Sequence, residues 1–151
     1  MKKGFTLVEL LVVVAILGVL VAVGIVSFGG FLGNAKEKAT LANHKNVVNF
    51  MNAKVIQCSI DENIDLVNES GEQEEFDCGN SGNAMQDAFI HHFRGSGFKN
   101  AYNPDAEAID GGTSCGNPGV TKINWDNNTT LVITTKYDPD KDCLTARVVR
   151  E

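Results

Sequence analysis

From Phe5 to Leu32 the chain is almost continuously apolar, and no charged residue stands between Glu9 and Lys36. That stretch exceeds the roughly 20 residues a helix needs to cross a hydrocarbon core of about 30 Å. It is also longer than the roughly 7–15 apolar residues of a secretory signal, and no clean cleavage pattern ends it. A membrane-spanning helix is therefore predicted over residues 5–35. From Lys36 the composition turns polar while the helical period persists. Leu41, His44, Val48, Met51, Val55 and Cys58 fall in one narrow arc at about 100° per residue, with Lys38, Lys45, Asn49 and Asn52 outside it. Residues 36–57 are thus expected to continue the helix as an amphipathic rod, its stripe, His44 included, laid on a folded body.

That body is predicted to occupy residues 58–151. Asp61–Asn83 reads as an exposed acidic loop, broken at Ser70-Gly71 and Gly79-Asn80-Ser81-Gly82. Next, Ala84, Met85, Ala88, Phe89, His92 and Phe93 recur at helical spacing, with Ser81 or Asn83 in front as a cap and Gly95 and Gly97 behind. His91 and His92 are neighbours on that helix and face different directions, so one site does not use both. Lys99–Val120 is rich in Gly, Asn, Pro and Asp and reads as loop. Lys122–Trp125, Thr129–Tyr137 and Leu144–Val149 carry β-branched and aromatic residues, with Asn127-Asn128 and Asp138-Pro139-Asp140-Lys141 as turns. The predicted fold is α+β: a long N-terminal helix packed on a small antiparallel sheet.

Composition and charge narrow the function. At 151 residues the chain has the length of one domain. Lys2 and Lys3 precede the apolar run, which predicts a cytoplasmic N-terminus and a body on the other side of the membrane. The net charge of −6 does not suit a general nucleic-acid surface, whose affinity rests on Lys and Arg neutralising phosphates. Cys58, Cys78, Cys115 and Cys143 all lie in the exported part, where an even count reads as disulfides. Of the three possible pairings, Cys58–Cys78 with Cys115–Cys143 is preferred because it closes two local loops. Each bridge is worth about 3–4 kcal/mol on the chain-entropy model. Neither a C-x-x-C pair nor histidines at zinc-site spacing occur, so no metal and no cofactor are expected. No serine–histidine–acid arrangement or phosphate loop is discernible, and an enzyme is not expected.

Glu9 is the exception within the apolar helix. An unpaired carboxylate in lipid is costly, so it needs a partner. Around it, Lys2-Lys3-Gly4-Phe5-Thr6-Leu7-Val8-Glu9 ahead of the long apolar run resembles the N-terminus of type IV pilins and of the related pseudopilins of type II secretion. The resemblance ends with the long helix. It implies that a prepilin peptidase cuts between Gly4 and Phe5, so that residues 1–4 are a leader, and that the new Phe5 amine is N-methylated. It further implies that Glu9 pairs with the Phe5 amine of a neighbouring subunit as the chains self-associate into a helical filament. The implied partners are the peptidase, the inner-membrane assembly machinery and, before assembly, the membrane itself. Three readings follow: a pilus subunit serving adhesion, motility or DNA uptake; a secretion pseudopilin; and a membrane-tethered binding protein that never polymerises.

Two departures from the family pattern matter. Pilins commonly carry a proline midway along this helix, whereas here none occurs before Pro104. Gly18, Gly24, Gly29, Gly30 and Gly33 stand there instead, each costing roughly 1 kcal/mol against alanine in a helix interior. They are expected either to let helices approach closely, as the small-xxx-small spacing of Gly29 and Gly33 suggests, or to let the helix melt locally. Near the C-terminus, where some pseudopilins bind calcium, Asp138, Asp140 and Asp142 alternate. The glycine and distal glutamate of an EF-type loop are missing, so a turn with surface aspartates is expected.

Overall fold

The computed structural model describes residues 5–126 and 129–150. In chain order these form α1 (Leu7–Gln57), β1 (Asn63–Val67), β2 (Gln73–Asp77), α2 (Gly82–Gly95), β3 (Ile109–Gly111), β4 (Thr121–Asp126), β5 (Thr130–Thr135) and β6 (Leu144–Val149). The architecture is α+β and pilin-like, a long apolar N-terminal helix followed by a small β region. By its internal contacts the chain divides into two compact units, one ending at Ala35 and one starting at Lys36.

In the first unit α1 runs unbroken through Gly24–Gly33. Its Leu, Val, Ile and Phe side chains are exposed on every side. A Cβ added at any of its five glycines would meet nothing within 4 Å. Contacts with the described residues of the chain therefore do not require glycine there.

The second unit holds the core. Val47, Met51 and Val55 of α1 pack with Ile64 and Leu66 of β1, with Met85, Phe89, Ile90 and Phe93 of α2, and with the inward side chains of the sheet. The buried stripe of α1 is Thr40, His44, Val47, Met51 and Val55. It is rotated slightly from the predicted one, so that Leu41, Val48 and Cys58 are only partly buried. The reason is Thr40: its hydroxyl donates to the Lys36 carbonyl (2.9 Å), which lets a polar residue sit where an apolar one was expected.

Two stretches read as loop are in fact strand. Within Asp61–Asn83, β1 and β2 form an antiparallel hairpin, with Ile64 opposite Phe76 and Asp65 opposite Glu75. Asp65 and Glu75 lie outward while Ile64 and Leu66 point into the core, an alternation masked by the charge of the segment. Asn68 builds the turn, its Oδ1 accepting from the N–H groups of Ser70 and Glu72, and Gly71 takes φ +85°. Within Lys99–Val120, β3 pairs parallel to β4, so the sheet, in order β3-β4-β5-β6, is mixed rather than purely antiparallel. Ala108 and Ile109, both buried, carry this short strand into the core.

The other elements follow the apolar pattern. β4, β5 and β6 pair antiparallel; the predicted Asn127-Asn128 turn lies outside the described residues. Ser81 caps α2, accepting from the Ala84 N–H (3.3 Å), and Gly97 at φ +76° ends it with a hydrogen bond to the Arg94 carbonyl. Two glycines seat α2 closely. A Cβ on Gly82 would lie 1.8 Å from the Trp125 ring, and one on Gly95 would lie 1.8 Å from the Asn68 carbonyl oxygen.

Candidate functional site

The first turn of α1 organises the N-terminal region. Thr6 stands immediately before Leu7, and the Glu9 carboxylate accepts from both the Thr6 N–H (2.8 Å) and the Thr6 hydroxyl (2.7 Å), while the Glu9 N–H donates to that hydroxyl (3.3 Å). This is a capping box, the reciprocal pairing that satisfies orphan donors at a helix start. The Thr-x-x-Glu pattern carries that signal in the sequence, where Glu9 was read only for its charge. Both bonds to the carboxylate use Oε2, and Oε1 accepts none among the described residues. Phe5 is described and largely exposed, at 83%. Gly4, with Lys2 and Lys3, lies outside the described residues, and so does the expected cleavage bond.

Beyond Glu9 the helix is long and apolar enough to cross a membrane. Val21, Gly24, Ile25, Phe28, Gly29 and Leu32 line an open apolar groove along it. A helical surface that is apolar all round is stable only against lipid or other apolar helices. The chemistry it offers is burial, not catalysis.

In the second unit the four cysteines form two bridges. Cys58, just past α1, joins Cys78, just past β2 (Cα–Cα 5.4 Å), and Cys115 joins Cys143, just before β6 (6.0 Å). The first ties the end of the long helix to the acidic hairpin. The two adjacent histidines have separate environments. His91 is exposed, 4.0 Å from Glu69, whereas His92 stacks on Phe50 with ring centroids 4.2 Å apart and its Nδ1 accepts from the Val67 N–H (3.0 Å). Burial and the nearby Lys54 charge hold the His92 imidazole below its ordinary pKa. His44 is likewise lowered by burial, and its Nδ1 lies 2.8 Å from the Thr135 hydroxyl, which in turn meets that of Thr121 (2.8 Å).

The aspartates near the C-terminus are used locally. Asp138 accepts from the Asp140 N–H (2.8 Å) and pairs with Lys141, contacts that depress its pKa, while Asp140 and Lys141 are exposed. Among the described residues no cluster of three His, Cys, Asp or Glu side chains has the arrangement of a metal site. A cavity of about 720 Å³ opens between the Asn100–Val120 segment and β4. Its charged groups are already paired: Lys122 donates to Asp110, which lowers the Asp110 pKa, and Arg94 binds Asp110 (3.3 Å), Glu107 (3.1 Å) and Glu69 (3.1 Å). The Arg94 hub was not read from sequence, because its partners come from separate segments.

No curated protein and no solved structure matches the chain. The prokaryotic N-terminal methylation motif matches residues 1–25, the stretch holding Gly4, Phe5, Thr6, Glu9 and the start of the apolar run. The chain thus carries the type IV pilin and pseudopilin signature at its N-terminus, joined to an α+β body of pilin-like architecture.

Proposed function

We propose that the chain is the precursor of a type IV pilus subunit, cut between Gly4 and Phe5, N-methylated at Phe5, and polymerised through the apolar half of α1. The observation that carries this reading is the pairing of the methylation motif with a helix whose apolar residues, from Leu7 to Leu32, face outward on all sides. Exposing that surface to water costs about 25 cal/mol per Å², so it is held first in lipid and then among the same helices of other subunits. Glu9 supplies the register. Cleavage creates an α-amino group at Phe5, and an ammonium and a carboxylate that are each unpaired in lipid gain by meeting between subunits. The glycines of α1, with open space around them, let neighbouring helices come close. The domains on this reading are the leader 1–4, the filament-core helix 5–35, its amphipathic continuation 36–57 and a disulfide-bonded head 58–151. The precursor spans the inner membrane once, and the assembled subunit lies outside the cell.

The test is intact mass and N-terminal sequencing of the protein in sheared surface filaments. Abundant chain beginning at methylated Phe5, with four hydrogens fewer for two disulfides, is the expected result. Processed chain confined to the membrane fraction would favour a secretion pseudopilin, and chain still beginning at Met1 would overturn the reading.

A further inference from the structure

Charge is segregated in the second unit. Between Lys54 and Arg94 there is no lysine or arginine, while Asp61, Glu62, Asp65, Glu69, Glu72, Glu74, Glu75, Asp77 and Asp87 all fall there. Conversely, from Lys38 to Gln57 there is no carboxylate. The hairpin sets like charges against each other: Asp65 lies directly opposite Glu75 on the outward face, and both are exposed and in no ion pair among the described residues. Opposed like charges in a cross-strand pair are destabilising. Among the described residues no cation relieves this one.

The outward face of α1 has the complementary character. Lys38, Ala42, Lys45, Asn49, Ala53 and Ile56 are all exposed and recur at helical spacing, so they share one side, opposite the buried stripe. Lys38 and Lys45 enter no hydrogen bond or ion pair among the described residues, unlike Lys36, which donates to the Tyr102 carbonyl. The alanines leave room for a second backbone to approach, and Ile56, 62% exposed, offers an apolar contact at the end of the row. Two copies of this face repel each other through their lysines. The outward hairpin face, whose only charged side chains are Asp65, Glu75 and Asp77, does not repel it.

We propose that the acidic β1–β2 face of one subunit docks on the Lys38–Lys45 face of α1 of a second copy, so that Asp65 and Glu75 receive the two lysines. The lysines are seven residues apart, about 10 Å along the helix, whereas Asp65 and Glu75, directly opposed across the hairpin, stand about 5 Å apart, so the two long lysine side chains converge on the pair. A divalent cation is the competing occupant of the hairpin, but its carboxylates do not converge as a metal site does. The contact is head-to-tail, basic face to acidic face, the kind that builds an open helical series when its rotation does not close into a ring. It rests on the filament reading and adds to it a contact outside the apolar core.

A charge-swap cycle in cells that assemble the protein tests it, read as the amount of chain in sheared filaments. The membrane-fraction level and the two intact disulfides serve as the folding control. Lys38→Glu with Lys45→Glu, and separately Asp65→Lys with Glu75→Lys, are each expected to lower filament yield by about tenfold or more. The four changes together are expected to restore it. Unchanged yield with either pair overturns the interface and leaves the filament reading standing. Loss without restoration also overturns it, and if chelating divalent cations then mimics the hairpin defect in the unsubstituted chain, the face holds a metal ion instead. Absence of the unsubstituted chain from filaments overturns both.

Discussion

At the level of single residues, Glu9 carries two loads that substitution separates. Its Oε2 closes the capping box on Thr6, and on the proposed function its charge pairs with the Phe5 amine of a neighbour. Glutamine at this position also closes a capping box but bears no charge. Glu9→Gln and Glu9→Ala are therefore both expected to stay in the membrane and to be excluded from filaments. Filaments formed by Glu9→Gln but not by Glu9→Ala would assign the residue to capping alone. Gly95 is constrained differently, by the Asn68 carbonyl 1.8 Å from where a Cβ would stand. Backbone cannot give way as a side-chain tip does, so Gly95→Ala is expected to cost at least the 1–3 kcal/mol typical of overpacking, about what a core insertion costs. Thermal unfolding of the full chain in detergent measures it.

At the level of elements, His92 joins α2 to β1 through the Val67 N–H and to α1 through the stack on Phe50. Its Nδ1 is an acceptor, so this bond requires the neutral ring protonated at Nε2 and is broken by the imidazolium. His44 lies between α1 and β5 with its Nδ1 2.8 Å from the Thr135 hydroxyl, and burial there disfavours its imidazolium. Both folded pKa values are depressed, so the unfolded chain binds more protons once pH falls to about 6.5, the ordinary histidine value. The contribution of the neutral rings is present above that pH and is lost as pH falls from there through the lowered folded values. The unfolding midpoint is expected to drop between about pH 7 and 5. Substituting both histidines by glutamine is expected to flatten that drop, and an unchanged slope would contradict the assignment. Arg94 fastens α2 to the hairpin turn, the Glu107 segment and β3. Exposed pairs are worth little singly, so Arg94→Lys, which keeps the charge but loses the fork, is expected to cost about 1 kcal/mol. Chemical unfolding of the two chains side by side reads that difference.

At the level of the whole molecule, the two bridges do different work. Cys58–Cys78 encloses the β1–β2 hairpin and buries Cys78 in the core, whereas Cys115 is exposed and Cys143 half-buried. By loop length alone each is worth about 3–4 kcal/mol. Packing adds to the first, so a Cys58→Ser, Cys78→Ser chain is expected to unfold at a lower temperature than a Cys115→Ser, Cys143→Ser chain; the reverse order would show that the hairpin holds without its bridge.

Much of this molecule was readable from local pattern. The long helix, the Ser81 cap, the α2 core face and strands β4 to β6 each rest on the spacing of apolar residues and on nearby turn chemistry, which one stretch of chain contains in full. The hairpin was not readable, because eight acids mask an alternation of Ile64, Leu66 and Phe76 that becomes visible only when a core stands behind it. Strand β3 has three residues and no period to detect; its pairing with β4 depends on Ala108 and Ile109 reaching the core. The predicted stripe centred on Leu41 and Val48 rather than Thr40 and Val47, because a threonine satisfied by its own helix counts as buried surface only in three dimensions. By itself the sequence determined the apolar helix, its motif and the class of protein they mark, since these depend on residues adjacent in the chain. Only the tertiary structure decided which acids face outward together, which lysines find no partner among the described residues and which carboxylates Arg94 gathers, because each of those joins residues that sequence distance keeps apart.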